Sequence, residues 1–187
     1  MDRLVAHFRL MARNNAWAND RLLAACAALD AAAFAAPRTS FFPSLRVTLN
    51  HSHAVDLYYI DALEAAGRGP AAFAEAPDHA EPGALRAAQA ATDRRLIAFC
   101  DRLGPADLDR RVVTDRGSQG APAERVDALL AHLFQHQIHH RGQAHAMLAG
   151  TPVPPPQLDE FFLDFDRHPS AVAMGLWPDP ATTADGP

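Results

Sequence analysis

Four long stretches of the chain place apolar residues at every third or fourth position, with alanine filling much of the space between. This spacing is typical of helices that bury one face. The predicted helices run from Arg3 to about Leu29, from the N-cap Ser44 to about Ala66, from Pro82 or Gly83 to Leu103, and from Ala123 or Glu124 to Ala149. Four such helices predict an all-α protein built as a four-helix bundle.

The segments between these helices carry the residues that interrupt regular structure. Prolines break the chain between Pro37 and Pro43, and residues 70–83 have the composition of a loop. Residues 111–118 have an extended pattern that turns at Gly117, which is compatible with a short hairpin before the last long helix. A further short helix is predicted around residues 158–165. We expect one domain over residues 1–178 and a flexible tail over 179–187.

Composition narrows the range of functions. The chain has 187 residues, of which 49% are hydrophobic and 21% charged, as expected for one globular domain. Its net charge is -5, it contains no lysine, and its arginines lie among acidic residues, so nucleic-acid binding is disfavoured. No apolar run is long enough to cross a bilayer, and the start of the chain lacks a signal-peptide pattern. Cys26 and Cys100 show no disulfide or metal spacing, so a cytoplasmic protein is expected.

Histidine is the residue type most unevenly distributed along the chain. Five of the ten histidines lie within fourteen residues of the fourth predicted helix: His132, His136, His139, His140 and His145. A helix advances about 100° per residue, so residues four apart lie nearly above one another. His136 and His140 then border the apolar face, His132 and His139 point progressively outward, and His145 lies opposite His136.

Two histidines at this spacing can hold one divalent ion if a third ligand comes from another helix. His51 is the best candidate because it shares the apolar face of the second predicted helix, whereas His53 points the other way. Three imidazoles would leave coordination positions open for water or substrate, and zinc or nickel would suit these ligands. A histidine pair alone is weak evidence, since such pairs are more often surface or core residues. The chain contains neither H-E-x-x-H nor G-x-S-x-G, so the sequence does not support a zinc protease or a serine hydrolase.

The residues around these histidines resemble the DinB family, a group of metalloenzyme-like proteins that shares only a name with a DNA polymerase. The resemblance rests on Leu49-Asn50-His51, on residues 132–143 with their H-x-x-H-H-R-G-Q string, on Asn15 to Asn19, and on Pro154 to Asp159. It extends from about residue 3 to residue 166.

The resemblance implies a four-helix bundle of the DinB/YfiT-like type, commonly a homodimer, that binds a divalent ion through His51, His136 and His140. It also implies a small-molecule substrate and a transferase or isomerase activity that uses a low-molecular-weight thiol. Thiol-dependent S-transfer is therefore one expected activity. The alternative is a nonenzymatic stress-response or binding protein in which the ion only stabilises the bundle.

Several residues beside the three histidines are candidates for orienting ligands or lining a pocket. The polar candidates are Asn50, Gln137, His139, Arg141 and Gln143, and the aromatic ones are Trp17, Phe134, Phe161 and Phe162. Helix phase places Arg141 and Gln137 in the apolar sector, so a buried guanidinium must have partners on another helix, unless it contacts an anionic substrate. Gly142, in the middle of a helix, predicts a close approach by a neighbouring helix.

Overall fold

The structure, a computed structural model, describes residues 2–177 and confirms the all-α class and the four long helices. Three shorter helices accompany them. In chain order the helices are α1 (Arg3–Cys26), α2 (Ala31–Ala35), α3 (Leu45–Glu64), α4 (Pro70–Ala74), α5 (Pro82–Arg102), α6 (Val126–Leu148) and α7 (Pro169–Ala173). The tail predicted over residues 179–187 lies outside the described residues. No helix among the described residues is both long and apolar enough to span a membrane.

Side chains at the helix ends explain where the helices begin. The Asp2 carboxylate accepts hydrogen bonds from the backbone N–H groups of Leu4 and Val5, and the Ser44 hydroxyl accepts one from Val47. These bonds satisfy donors that have no partner inside the helix. Proline occupies the first position of α5, where its missing N–H costs nothing. The starts of α1 and α3 are therefore set by side chains that cap their first turns.

The long helices pack as a bundle in which α1 lies mainly against α5 and α3 mainly against α6. Two apolar clusters fill its interior. Phe8 and Leu130 belong to one cluster, and Leu22 and Leu148 to the other. Between them, each long helix contributes buried polar side chains, which we call the polar layer: Asn15, Asn19, Asp56, Gln89, Asp93 and Arg141. The bundle thus has a polar middle between two apolar ends.

The predicted hairpin is present as two short antiparallel strands, β1 (Arg111–Val113) and β2 (Ala123–Arg125), in which Val112 pairs with Glu124. Its connection includes a 3-10 turn over Gly117–Gln119. Because residues 123–125 pair with β1, α6 begins only at Val126, later than the periodicity predicts.

The sequence-based prediction is wrong for two other segments. Residues 70–83 are not all loop, because α4 forms there. Residues 158–165 are not helical; the short helix of this region is α7, where Pro169 occupies the first turn and the His168 side chain accepts from the N–H of Ser170. Phe161 is fully buried against Trp17 in a non-helical segment.

Candidate metal centre

The polar layer borders a set of three histidines held by two helices. His51 lies on α3, and His136 and His140 lie one turn apart on α6. One ring nitrogen from each lies within 4.8 Å of the other two, and this is the one such group of three potential ligands among residues 2–177. The structure therefore brings together the three histidines that helix phase selected.

The separation of the nitrogens suits a single ion. The Nε2 atoms of His51 and His136 are 3.3 Å apart. Two nitrogens bound to one zinc ion at about 2.0–2.1 Å with tetrahedral angles would lie about 3.3–3.4 Å apart. The ring centroids of His136 and His140 are 4.4 Å apart, so the third imidazole lies close to the same point. The residues present thus fit a divalent ion both in donor type and in spacing.

Burial keeps these imidazoles neutral. Burial is the largest cause and, together with the neighbouring His140 and His51, it lowers the pKa of His136 to about 3. Burial also lowers the pKa of His51, with His140 adding to the effect. For His140, burial lowers the pKa although the hydrogen bond to Gln143 opposes it. Metal ions bind the neutral form of imidazole, so the ligands are in the required state at neutral pH.

Gln143 orients one of the three rings. Its Oε1 lies 2.8 Å from Nδ1 of His140, an arrangement in which His140 donates and its Nε2 keeps a lone pair. The other end of the Gln143 amide lies 3.0 Å from Nε2 of His139, which is exposed. Gln143 therefore links the outer histidine to the inner one. By contrast, Nδ1 of His136 is buried without a described hydrogen-bond partner.

Gln137 and Asn50 form hydrogen bonds with backbone groups and have no described bond to an imidazole ring, although they precede or follow His51 and His136 in sequence. Gln137 is buried and donates to the carbonyl of Ser52 at 3.3 Å, which joins α6 to α3 beside the histidines. Asn50 both donates to the carbonyl of His79 and accepts from its N–H, so it fastens the segment before α5 onto α3. Their described hydrogen bonds stabilise the helices that carry the ligands.

Arg141 is buried and bonded across the bundle, as helix phase predicts for an inward guanidinium. Its Nη1 donates to the amide oxygens of Asn15 and Asn19 on α1, the latter at 2.9 Å. The Nδ2 atoms of both asparagines donate in turn to the Asp93 carboxylate at 3.1 Å. Arg141 therefore reaches a carboxylate of α5 through two amides of α1, and its guanidinium belongs to the polar layer.

Comparison with known protein families decides the identity of the chain. The model of the DinB family matches residues 2–169. The chain belongs to the DinB family. No curated protein matches it significantly.

The other histidines of this DinB protein are not part of this group of three, although the ring centroid of His139 lies 5.0 Å from that of His140 and the centroid of His132 lies 6.3 Å from that of His136. His132 is exposed and its ring packs against Tyr59, whereas Nε2 of His145 lies 2.9 Å from the carbonyl oxygen of Pro156 on the opposite side of α6. His53 is buried with Nε2 3.1 Å from the Thr92 hydroxyl. Its direction away from His51 agrees with the sequence-based expectation.

Gly142 does not mark a close helix contact. A side-chain carbon placed on it would meet nothing within 4 Å, so the prediction from its mid-helix position is wrong. Gly142 instead borders a surface cavity of about 520 Å³ beside Ile138 and Phe162.

Two phenylalanines lie beside the three histidines and were not among the residues selected from the sequence. The ring centroid of Phe42 lies 4.6 Å from that of His51 and 5.6 Å from that of His140, and the centroid of Phe73 lies 6.0 Å from that of His51. The four aromatic candidates from the sequence have no described ring contact with the three histidines: Trp17, Phe134, Phe161 and Phe162. One feature of the sequence could have indicated Phe42: it lies just before the helix that carries His51.

Proposed function

We propose that this DinB protein is a divalent-metal-dependent enzyme acting on a small molecule, with His51, His136 and His140 as the metal ligands. The observation that supports the proposal most directly is the convergence of three neutral imidazoles from two helices on one point. Zinc or nickel is the proposed ion, because both accept nitrogen ligands readily.

Three protein ligands leave at least one coordination position for another molecule, which is the pattern of catalytic zinc sites. A bound ion of this kind lowers the pKa of a coordinated thiol or water and so supplies a nucleophile at neutral pH. Thiol-dependent S-transfer to an electrophilic small molecule is the proposed reaction class, with a low-molecular-weight thiol as co-substrate.

The protein's own residues contribute position and charge. Gln143 holds the ring of His140 with its Nε2 free, and Gln137 fixes α6 against α3. Because all three ligands are neutral, the ion would keep its full positive charge, and a thiolate or hydroxide would be favoured beside it. These residues therefore organise a site that attracts an anionic nucleophile.

A nonenzymatic role is the second candidate. The three histidines come from two helices, so an ion bound to them would also cross-link α3 and α6 and stabilise the bundle. In that case the open coordination position would carry no reactant.

Metal analysis of purified protein tests the ligand assignment. We expect about one equivalent of metal in the unaltered protein and a large loss in His51→Ala, His136→Ala and His140→Ala. His145→Ala is the matched control, since this histidine lies on α6 but bonds to Pro156, and it should retain the metal. Full metal content in any one of the three ligand variants would overturn the assignment.

Conjugation of thiols to 1-chloro-2,4-dinitrobenzene tests the activity. The thiol sulfur bonds to the ring carbon, chloride leaves with the bonding electrons, and the thiol proton passes to solvent. We expect faster conjugation with metal-loaded protein than with metal-stripped protein for at least one member of a panel of cysteine, glutathione, bacillithiol and mycothiol. Background rates throughout the panel, together with a large loss of thermal stability on stripping, would favour the nonenzymatic role.

A further inference from the structure

Two phenyl rings border the candidate metal centre. Phe42 lies over two of the three rings, and Phe73 lies edge-on to His51 at an interplanar angle of 78°. His51 and His136 remain partly exposed, whereas His140 is only 5% exposed. A molecule that enters the coordination sphere from the side of His51 therefore meets phenyl rings.

The described contacts of the three imidazole rings are with Phe42, Phe73, Gln143 and other histidines. None of the salt bridges described for residues 2–177 includes any of the three histidines. The described surroundings of the rings therefore offer apolar contacts to an entering molecule.

Both phenylalanines are carried by anchored segments. The backbone N–H of Arg38 donates to the carbonyl of Pro43 at 2.8 Å, which closes the loop that contains Phe42, and the Arg38 guanidinium donates to carbonyls of α2 and its end. The Asp61 carboxylate accepts from the N–H groups of Arg68 and Gly69, which fixes the turn that leads into α4 and Phe73. The rings therefore have defined positions although Phe73 is 44% exposed.

We infer that Phe42 and Phe73 determine the specificity of the metal centre and select small molecules that carry an apolar or aromatic group next to the atom that binds the ion. The inference rests on the proposed metal function. Aromatic rings at these distances bind a phenyl group by burying its surface and by edge-to-face contact, and they offer a carboxylate group neither a hydrogen-bond donor nor a cation.

Cobalt(II)-loaded protein provides the test, because its visible absorption changes when a ligand enters the coordination sphere. The probes are acetohydroxamate and benzohydroxamate, which share the metal-binding group and differ in a methyl against a phenyl substituent. We expect the unaltered protein to bind benzohydroxamate at least about tenfold more tightly than acetohydroxamate, since the phenyl group is buried against the two rings.

Substitution of the rings should remove this preference and leave cobalt binding intact. We expect Phe42→Ala to reduce the ratio of the two affinities to about twofold and Phe73→Ala to reduce it partly, because Phe73 contacts only one histidine ring. Phe42→Leu keeps an apolar side chain and should give an intermediate ratio. Phe165→Ala is the control, since Phe165 is 98% exposed and has no described ring contact with the site.

The outcomes separate the two proposals. Absence of cobalt binding in the unaltered protein would overturn the metal function and this inference together. Cobalt binding with equal affinity for both hydroxamates, or a preference that survives Phe42→Ala with an unchanged cobalt spectrum, would overturn the specificity role alone. Loss of the cobalt spectrum in Phe42→Ala with an unchanged preference in Phe42→Leu would also overturn it.

Discussion

Replacement of Arg141 by methionine tests the energetics of the polar layer, because methionine keeps an unbranched apolar side chain and removes the charge. Burial, with the nearby Asp93 adding to the effect, raises the pKa of Asp56 from 3.8 to about 7, and burial raises the pKa of Asp93 to about 6; both values already include the opposing effect of Arg141. At pH 8 both carboxylates are ionised and the guanidinium is the cation that offsets them. Without it two buried charges lose their compensation, which costs about 3–5 kcal/mol.

The loss of stability caused by Arg141→Met should be larger at pH 8 than at pH 5. A carboxyl group whose folded pKa is raised contributes most to stability below its unfolded pKa and loses that contribution as pH rises through the folded pKa. Without Arg141 the pKa of Asp56 and Asp93 rises further, so the loss between pH 5 and pH 8 becomes larger. At pH 5 both groups already carry protons, and only the hydrogen bonds of the guanidinium are lost, about 1–2 kcal/mol.

Urea unfolding in the presence of EDTA at pH 5 and at pH 8 measures the loss of unfolding free energy at each pH. In thermal melts at pH 8, the melting temperature should fall by about 10 °C. Adding Asp93→Asn to Arg141→Met should restore part of the stability at pH 8, because one of the stranded charges is removed. Arg95→Met is the matched control. Its exposed ion pair with Glu64 predicts a loss below about 1 kcal/mol at either pH. An equal loss for Arg141→Met at both pH values, or a loss below about 1 kcal/mol at pH 8, would refute the reasoning.

Three further predictions concern other parts of the fold. Gly142→Ala should raise the free energy of unfolding by about 0.5–1 kcal/mol in urea titrations, because the added carbon meets no atom within 4 Å and alanine favours the helix; destabilisation would contradict this. Cys26 and Cys100, buried and with pKa raised to about 12, should react with a disulfide reagent only at the rate of unfolding, whereas rapid reaction of folded protein would contradict their burial. Ser44→Ala should cost about 1 kcal/mol by loss of the bond from Val47, and a neutral effect in thermal melts would show that the cap is not needed.

The long helices and the histidine positions could be predicted because both follow from periodicity. His51, His136 and His140 were identified by the angle of each residue on its helix, and angles of this kind survive folding when a helix stays regular. The same argument predicts an inward Arg141 with partners on another helix, and those partners are the amide oxygens of Asn15 and Asn19 on α1.

The phenylalanines at the site could not be predicted in this way because they lie in a loop and a short helix. The position of Phe42 depends on a turn closed by Arg38, and that of Phe73 on a turn fixed by Asp61. Neither interaction leaves a periodic signal. The apolar residues around Phe161 predict a helix that does not form. The segment is held instead by the burial of Phe161 against Trp17, which requires no helix.

The polar layer has a consequence for the alignment of the helices. Apolar clusters tolerate sliding, because one aliphatic contact can replace another, whereas Arg141 reaches both Asn15 and Asn19 at only one longitudinal position. A shift of α6 by one turn, about 5.4 Å, would take the guanidinium away from one of these two partners and displace His136 and His140 from His51. The network on the α1 side of the bundle thus sets the register at which the three imidazoles on the α3 side can meet.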